Sequence, residues 1–250
     1  MQTADIPLVG HPTSLAPLGY ALGAFSVLAF VALLHHPVVH GHDPAGLLIS
    51  IRSQTMTGQI VHGTLAMIFG FLEAAMILFA SRLGLWRFAV VFGLVAFSCA
   101  CVMTVLAVMT DGFVIPSLAA RCAPATSASC VGETINLIRL SATQIEFLTR
   151  FSFVGMAAAV VSWSIALLSI RDVPRWAGLA GLLSGGCQIL ALLAASGPLT
   201  RTSLLPIFGA QVAWYLLTAL LLIMRRGPFA AVVGSARLES TQAPCLKAQS

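Results

Sequence analysis

The apolar residues of this chain are grouped in six long runs, separated by short stretches that hold most of its charged residues. A helix needs about 20 consecutive apolar residues to cross the hydrocarbon core of a bilayer. The runs have about this length, so the pattern predicts an all-α integral membrane protein, a bundle of about six transmembrane helices. The predicted spans are residues 18–34, 58–80, 85–109, 147–170, 176–195 and 205–224.

The residues outside these spans divide the chain into three predicted regions. Residues 1–17 form an N-terminal segment without Lys or Arg, unlike a secretory signal, so we expect the first span to be retained. Residues 18–224 form the transmembrane domain, and residues 225–250 form a polar tail that we expect to be disordered. In the first and third loops, the half-apolar residues 44–51 and 132–140 predict interfacial or short helical segments.

The composition agrees with a membrane location. The chain is 58% hydrophobic and only 8% charged, whereas a soluble domain carries about 25% charged residues. Such a surface can be solvated only by lipid over most of its area. The net charge of +5 comes from residues scattered over short loops. It does not indicate nucleic-acid binding, and the lipid bilayer is the predicted partner.

The basic residues also predict an orientation. Eight of the thirteen lie in the second loop, the fourth loop and the C-terminal tail, which share one side of the membrane if there are six spans. Because cytoplasmic loops are enriched in Lys and Arg, both termini are predicted to be cytoplasmic. The chain has the character of small multi-spanning proteins of bacterial inner membranes, and we expect it there.

Two cysteines fall in the third loop, on the predicted extracytoplasmic side. Cys122 and Cys130 enclose a short Ala- and Ser-rich segment. A disulfide is permitted on the oxidising side of the membrane. The alternative is two free thiols, and the choice depends on the distance between the two Cα atoms.

Histidines crowd the end of the first span and the start of the first loop, where His36, His40 and His42 precede Asp43. Neutral imidazoles bind zinc, copper, iron or nickel, and a nearby carboxylate can ligate or orient. One hypothesis is therefore a divalent metal site, with zinc as an example. The alternative is a histidine-rich loop that solvates a helix end, because the usual zinc spacings are absent and Pro37 interrupts the helix.

A polar stripe runs along the second predicted span. His62 and Glu73 are eleven residues apart, which returns them to nearly the same helix face, about 16 Å apart along the axis. Gln59 lies one turn before His62 on that face. Ionisable residues within a span usually face the protein interior. The stripe predicts either a proton or substrate path, or hydrogen bonding between helices.

More polar residues approach the same level of the membrane as His62. Glu146 and Arg150 are four residues apart on a helix and can pair directly. If the spans form a bundle, these side chains line an extracytoplasmic pocket, and the metal hypothesis joins His62, Asp111 and Glu146 there to the loop histidines. The alternative is interfacial anchoring of helix ends. The further polar residues within or near the spans are Asp111, Glu146, Arg150, Gln211 and, near mid-membrane, Gln188.

Three functions stay open at this point. The first is a protein without an assigned catalytic role that binds a small ligand, a lipid or a partner subunit. The second is a metal-dependent enzyme or metal handler, and the third is a proton-coupled transporter that uses Glu73. Glycines four apart in the first and fifth spans predict close helix contacts, either within one chain or in a homo-oligomer. The two pairs are Gly19 with Gly23 and Gly181 with Gly185.

Overall fold

The computed structural model describes residues 15–35, 43–122, 128–171, 173–195, 197, 199 and 201–224. Its described residues form helices joined by short turns, without a strand among them. The predicted regions 1–17 and 225–250 lie outside the described residues except for residues 15–17. The α-helices are α1 (Ala16–Leu34), α2 (Pro44–Ser53), α3 (Thr55–Leu83), α4 (Phe88–Met109), α5 (Ile115–Arg121), α6 (Ala128–Leu168), α7 (Arg175–Ala194) and α8 (Arg201–Ile223).

Six helices are long and apolar enough to cross a membrane, which confirms the predicted fold class. They are α1, α3, the continuous stretch Phe88–Arg121, α6, α7 and Thr202–Ile223. Large apolar side chains are exposed along them, for example Leu183, Leu190 and Phe88. Because water would not tolerate so many exposed apolar side chains over contiguous faces, the surroundings of these helices are lipid. The chain is a multi-pass membrane protein.

The structure differs from the sequence prediction in the third loop. The segment 132–140 is not a separate interfacial piece, since it belongs to the first third of α6. With 41 residues, α6 is about 62 Å long, roughly twice the thickness of the hydrocarbon core. Its N-terminal part therefore projects beyond the span predicted at 147–170. The segment 44–51 does form a short helix, α2, whose N-terminus is capped by the Asp43 carboxylate.

The projecting part of α6 packs with α2 and α5 into a small second core. Leu48, Ile51, Ala119 and Ile135 are buried there. A disulfide joins Cys122 to Cys130, with the Cα atoms 6.2 Å apart. We call this end of the molecule the disulfide end. The opposite end, where Arg82, Arg87, Arg171 and Arg175 flank the helix termini, is the arginine end.

An aromatic cluster fills the half of the bundle nearer the arginine end. Its members are Phe79, Phe97, Trp163, Trp214 and Tyr215, whose neighbouring ring centroids are 5.5–6.2 Å apart. The indole Nε1 of Trp163 donates to the Val90 carbonyl at 3.3 Å. Gly84, with a φ of 100°, ends α3 on this side. This half of the bundle is closely packed.

Both glycine pairs lie at contacts within the chain. A Cβ at Gly19 would stand 2.7 Å from the carbonyl oxygen of Ala219, so α1 and α8 approach closely at this point. A Cβ at Gly185 would stand 2.8 Å from the carbonyl oxygen of Ala157, where α7 meets α6. The predicted close contacts are therefore internal, and a homo-oligomer or a partner subunit stays a prediction.

Candidate functional site

His62 lies on α3 near the disulfide end and is only 3% exposed. Its Nδ1 is 2.6 Å from the Gly58 carbonyl oxygen, one turn earlier on the same helix. Its Nε2 is 3.0 Å from Oδ2 of Asp111, which follows α4. The sequence placed these two side chains at one level of the membrane, and the structure brings them together.

The two contacts restrict where protons can sit on His62. A carbonyl oxygen only accepts, so Nδ1 carries the hydrogen that it donates to Gly58. One further proton then lies between Nε2 and Oδ2, on either the imidazole or the carboxyl group. The pair is therefore an imidazolium with a carboxylate, or an imidazole with a carboxylic acid. In both cases the two ring nitrogens are occupied by protein groups.

The local backbone explains how Asp111 reaches His62. Residues Thr110–Val114 form a π-helical turn between α4 and α5, and such turns re-aim side chains within a continuous helix. Gly112, the residue after Asp111, is buried against the side chain of His62. A Cβ at Gly112 would stand 2.7 Å from Cγ of His62, so only glycine lets the two helices meet here.

A second ion pair stands beside the first, on α6. Nη2 of Arg150 donates to Oε1 of Glu146 at 3.1 Å. The same guanidinium donates to the Ala195 carbonyl at 2.5 Å and to the carbonyl of Gly197. Arg150 therefore joins α6 to the end of α7, because its guanidinium group is directed at the carbonyls that follow α7.

A cavity of about 540 Å³ opens next to these residues. His62, Asp111 and Glu146 lie at its polar end, together with the hydroxyl-bearing Thr149. Further in, the hydroxyls of Thr104 and Ser152 are hydrogen-bonded to each other. The remaining wall is apolar and comes from five helices: Ala29, Leu33, Leu65, Phe69, Ala107, Val108, Ala142, Ile145, Phe153, Met156, Leu204 and Phe208, with Leu199 beside α8.

Three predicted polar residues are not part of the wall of this cavity. The side-chain amide of Gln211 is fully buried, and neither its nitrogen nor its oxygen has a hydrogen-bond partner among the described residues. Gln188 donates to the Ser184 hydroxyl at 3.0 Å and lines a different groove, between α7 and α8. Gln59 is half-buried on α3. Gln211, which the sequence placed at the level of His62, therefore does not line this cavity.

Glu73 lies deeper in the bundle and faces the interior rather than lipid. The Ser98 hydroxyl on α4 donates to Oε1 of Glu73. The other carboxylate oxygen, Oε2, is buried and has no hydrogen-bond partner among the described residues. Cys101 lies one turn after Ser98 on α4, and its buried thiol adjoins Glu73.

Sequence reasoning missed three of these polar side chains, namely Ser98, Thr104 and Ser152. A signal was present on α4, because positions 98, 101, 104 and 111 recur at intervals of three, three and seven residues. Such spacing puts them on one side of a helix. Hydroxyl and thiol groups are common in apolar spans, where they bond their own backbone. The row of polar residues on α4 therefore did not stand out as part of a site.

The described residues contain no group of three His, Cys, Asp or Glu side chains that could hold a metal ion. Three of the predicted ligands, His36, His40 and His42, lie outside the described residues. In the described part, both ring nitrogens of His62 already bind Gly58 and Asp111. A divalent metal such as zinc therefore stays a prediction, which metal analysis of wild-type protein and of His62→Ala tests.

The chain matches no protein-family model, no curated protein and no solved structure at a significant level. The function must therefore be inferred from the site itself.

Proposed function

We propose that this multi-pass membrane protein binds an amphipathic small molecule in the cavity beside His62. One observation carries the proposal: a cavity of about 540 Å³ joins a long apolar wall to a short polar end with Asp111, Glu146 and His62. Ligand sites in proteins are commonly apolar cavities of about 300–1,000 Å³ with a few convergent polar groups. A lipid-like molecule has this division between chain and head.

The arrangement of the cavity supports an extended ligand. Leu65 and Phe69 on α3, Met156 on α6 and Phe208 on α8 surround the deeper part. Apolar chains are favoured there because they keep dispersion contacts that an empty space would lose. The head then lies near the membrane surface, where Glu146 is 37% and Asp111 is 32% exposed.

We further propose that the polar end faces the extracytoplasmic side of a bacterial inner membrane, with both termini in the cytoplasm. Arg82, Arg87, Arg171 and Arg175 flank the helices at the other end, which favours the cytoplasm for that end. The disulfide between Cys122 and Cys130 supports the same orientation, because disulfides persist in oxidising compartments. The ligand would then enter from the outer leaflet or from the periplasm.

Binding of a radiolabelled long-chain alcohol to protein in nanodiscs tests the proposal, with empty nanodiscs as the background. Ala107 and Ala142 line the cavity, so Ala107→Phe and Ala142→Phe should each reduce saturable binding at least tenfold. Ala142 is exposed and tolerates a larger side chain. Ala213→Phe, in the groove between α7 and α8, is the matched control and should bind like wild type. Equal binding by all four proteins would refute the proposal.

A second candidate is proton-coupled transport through Glu73. The supporting observation is the position of this carboxylate, which accepts from Ser98 and keeps a buried second oxygen without a partner among the described residues. Buried ionisable residues of spans commonly mark ion pathways. Thr104 lies one turn beyond Cys101 on α4, so the inner end of the cavity comes within about one helical turn of the Glu73 layer.

Proton flux into proteoliposomes with an internal pH-sensitive dye tests this second candidate. When an amphiphile is present and a proton gradient is imposed, wild-type protein should acidify the interior of the vesicles. Glu73→Gln should abolish this proton flux. Glu133→Gln changes an exposed carboxylate on α6 and serves as the control. Flux that is equal in wild type and Glu73→Gln would eliminate the transport role and leave the binding proposal intact.

A further inference from the structure

The ionisable side chains that line the cavity are unevenly distributed by charge. Among the described residues of its wall, two are carboxylic acids, Asp111 and Glu146, one is a histidine, and none is Lys or Arg. A binding site for an anionic head would place cationic donors toward the ligand, as Arg and Lys do for carboxylates and phosphates. The described residues of this wall instead present acidic side chains, and no Lys or Arg, to the ligand.

Two basic side chains of the site, His62 and Arg150, are already bonded to protein acceptors. His62 uses Nδ1 for the Gly58 carbonyl and Nε2 for Asp111. Arg150 directs its guanidinium to Glu146 and to the carbonyls of Ala195 and Gly197. Neither group can turn to an anionic head without breaking bonds that join α3 to α4, or α6 to the end of α7.

Acceptor oxygens remain at the polar end. Arg150 is bonded to Oε1 of Glu146, whose Oε2 has no hydrogen bond within the described part of the chain. The Glu146 side chain is 37% exposed and lines the cavity, so its carboxylate is open to a ligand head. The Thr149 hydroxyl, which lines the same end, can also accept. An accessible carboxylate oxygen accepts strongly from hydroxyl and ammonium groups.

Resting on the proposed function, we infer that the ligand has a head group that donates hydrogen bonds, an ammonium or a hydroxyl, and that anionic amphiphiles are rejected. The Glu146 carboxylate receives the head, while the apolar chain extends along Leu65 and Phe69. A carboxylate or phosphate head would lie against two acidic side chains, and the described residues of the wall offer no Lys or Arg to balance its charge, which is electrostatically unfavourable.

Three probes with the same chain and different heads test this inference: dodecylamine, dodecanol and dodecanoate. Each is measured by equilibrium binding to wild-type protein in zwitterionic nanodiscs, with empty nanodiscs correcting for partition into lipid. We expect the amine to bind most tightly, the alcohol next, and dodecanoate at least about tenfold more weakly than the amine. The chain is constant, so the differences report on the head.

Glu146→Gln tests whether this carboxylate sets the preference. The amide keeps the size of the side chain and an acceptor for Arg150, so we expect normal folding and a several-fold smaller ratio of amine to dodecanoate affinity. Glu133→Gln, outside the cavity, should keep the wild-type ratio. Dodecanoate that binds as tightly as the amine would overturn the inference but retain the binding proposal. Failure of all three probes to bind saturably would overturn both.

Discussion

The two halves of the bundle treat their buried polar groups in different ways. In the half nearer the disulfide end, several polar side chains of different helices bond to one another, as His62 does to Asp111 and Thr104 to Ser152, while the Gln211 amide is an exception without a partner among the described residues. In the half nearer the arginine end, several polar atoms are buried without a hydrogen-bond partner among the described residues. They are Ser164 Oγ, Trp214 Nε1, Tyr215 Oη and Thr218 Oγ1.

The difference shows that two kinds of interaction hold the molecule. The arginine half is held mainly by shape, through aromatic rings seated against glycines such as Gly93 and Gly181. Hydrogen bonds between helices, from Trp163 to Val90 and from Arg87 to Ser169, add to this packing. The disulfide half contains a cavity, so its helices keep fewer close contacts there, and hydrogen bonds and ion pairs fix their positions. A membrane protein gains little from transferring apolar groups out of lipid, so close packing and polar contacts carry its stability.

The largest effect is expected where a side chain is forced into the arginine half. A Cβ at Gly181 would stand 2.9 Å from Cδ1 of Trp214, so Gly181→Leu must displace the indole. We expect a loss of about 3 kcal/mol in the free energy of unfolding, measured by titration with a denaturing detergent. Gly186→Leu, on the same helix, meets no atom within 4 Å at its Cβ and should unfold like wild type. Equal effects of the two variants would contradict a packed α6–α7–α8 contact.

The next effect concerns the contact that positions His62. Gly112→Ala places a methyl group against the His62 side chain, which must shift from its position, so we expect a loss of about 2 kcal/mol in the free energy of unfolding. Amphiphile binding should fall with it. Gly70→Ala on α3 has open space at its Cβ and is the control. Normal amphiphile binding by Gly112→Ala would mean that the His62–Asp111 pair does not contribute to the binding site.

A smaller effect is expected for the His62–Asp111 interaction itself. A double-mutant cycle with His62→Ala and Asp111→Ala should give a coupling energy of about 1 kcal/mol, as for other contacts between membrane helices. Thr110 bonds the Leu106 carbonyl of its own helix. The cycle of His62→Ala with Thr110→Ala should therefore give a coupling near zero. A zero value for the first cycle would mean that the bond does not stabilise the fold.

The smallest effect compares the same substitution in the two halves. Thr104→Val removes a hydroxyl bonded to Ser152 and to the Ala100 carbonyl, and should destabilise by about 1 kcal/mol. Thr218→Val removes a hydroxyl that has no partner among the described residues and should be neutral or slightly stabilising. The detergent unfolding curves of both variants measure this difference. The reverse order would refute the distinction between the halves.

The sequence predicted the spans and part of the site, for identifiable physical reasons. Six apolar runs were sufficient for the fold, because spanning length and hydropathy are local properties. The pairing of Glu146 with Arg150 followed from helix spacing, and the meeting of His62 with Asp111 followed from their common depth. The depth of a residue does not fix its direction, so Gln211, which was expected at the level of His62, does not line the cavity. Nor could spacing foresee the π-helical turn that aims Asp111 at His62.

Photolabelling of the wild-type protein tests the central claim most directly. A long-chain alcohol with a diazirine near the end of its chain is incorporated into nanodiscs, irradiated, and its attachment sites are mapped by peptide mass spectrometry. We predict saturable labelling of the cavity wall at Leu65, Phe69 and Met156, competed by unlabelled dodecanol. Labelling confined to lipid-facing residues such as Leu183, Leu190 and Leu193, without saturation, would contradict the existence of an amphiphile site in this cavity.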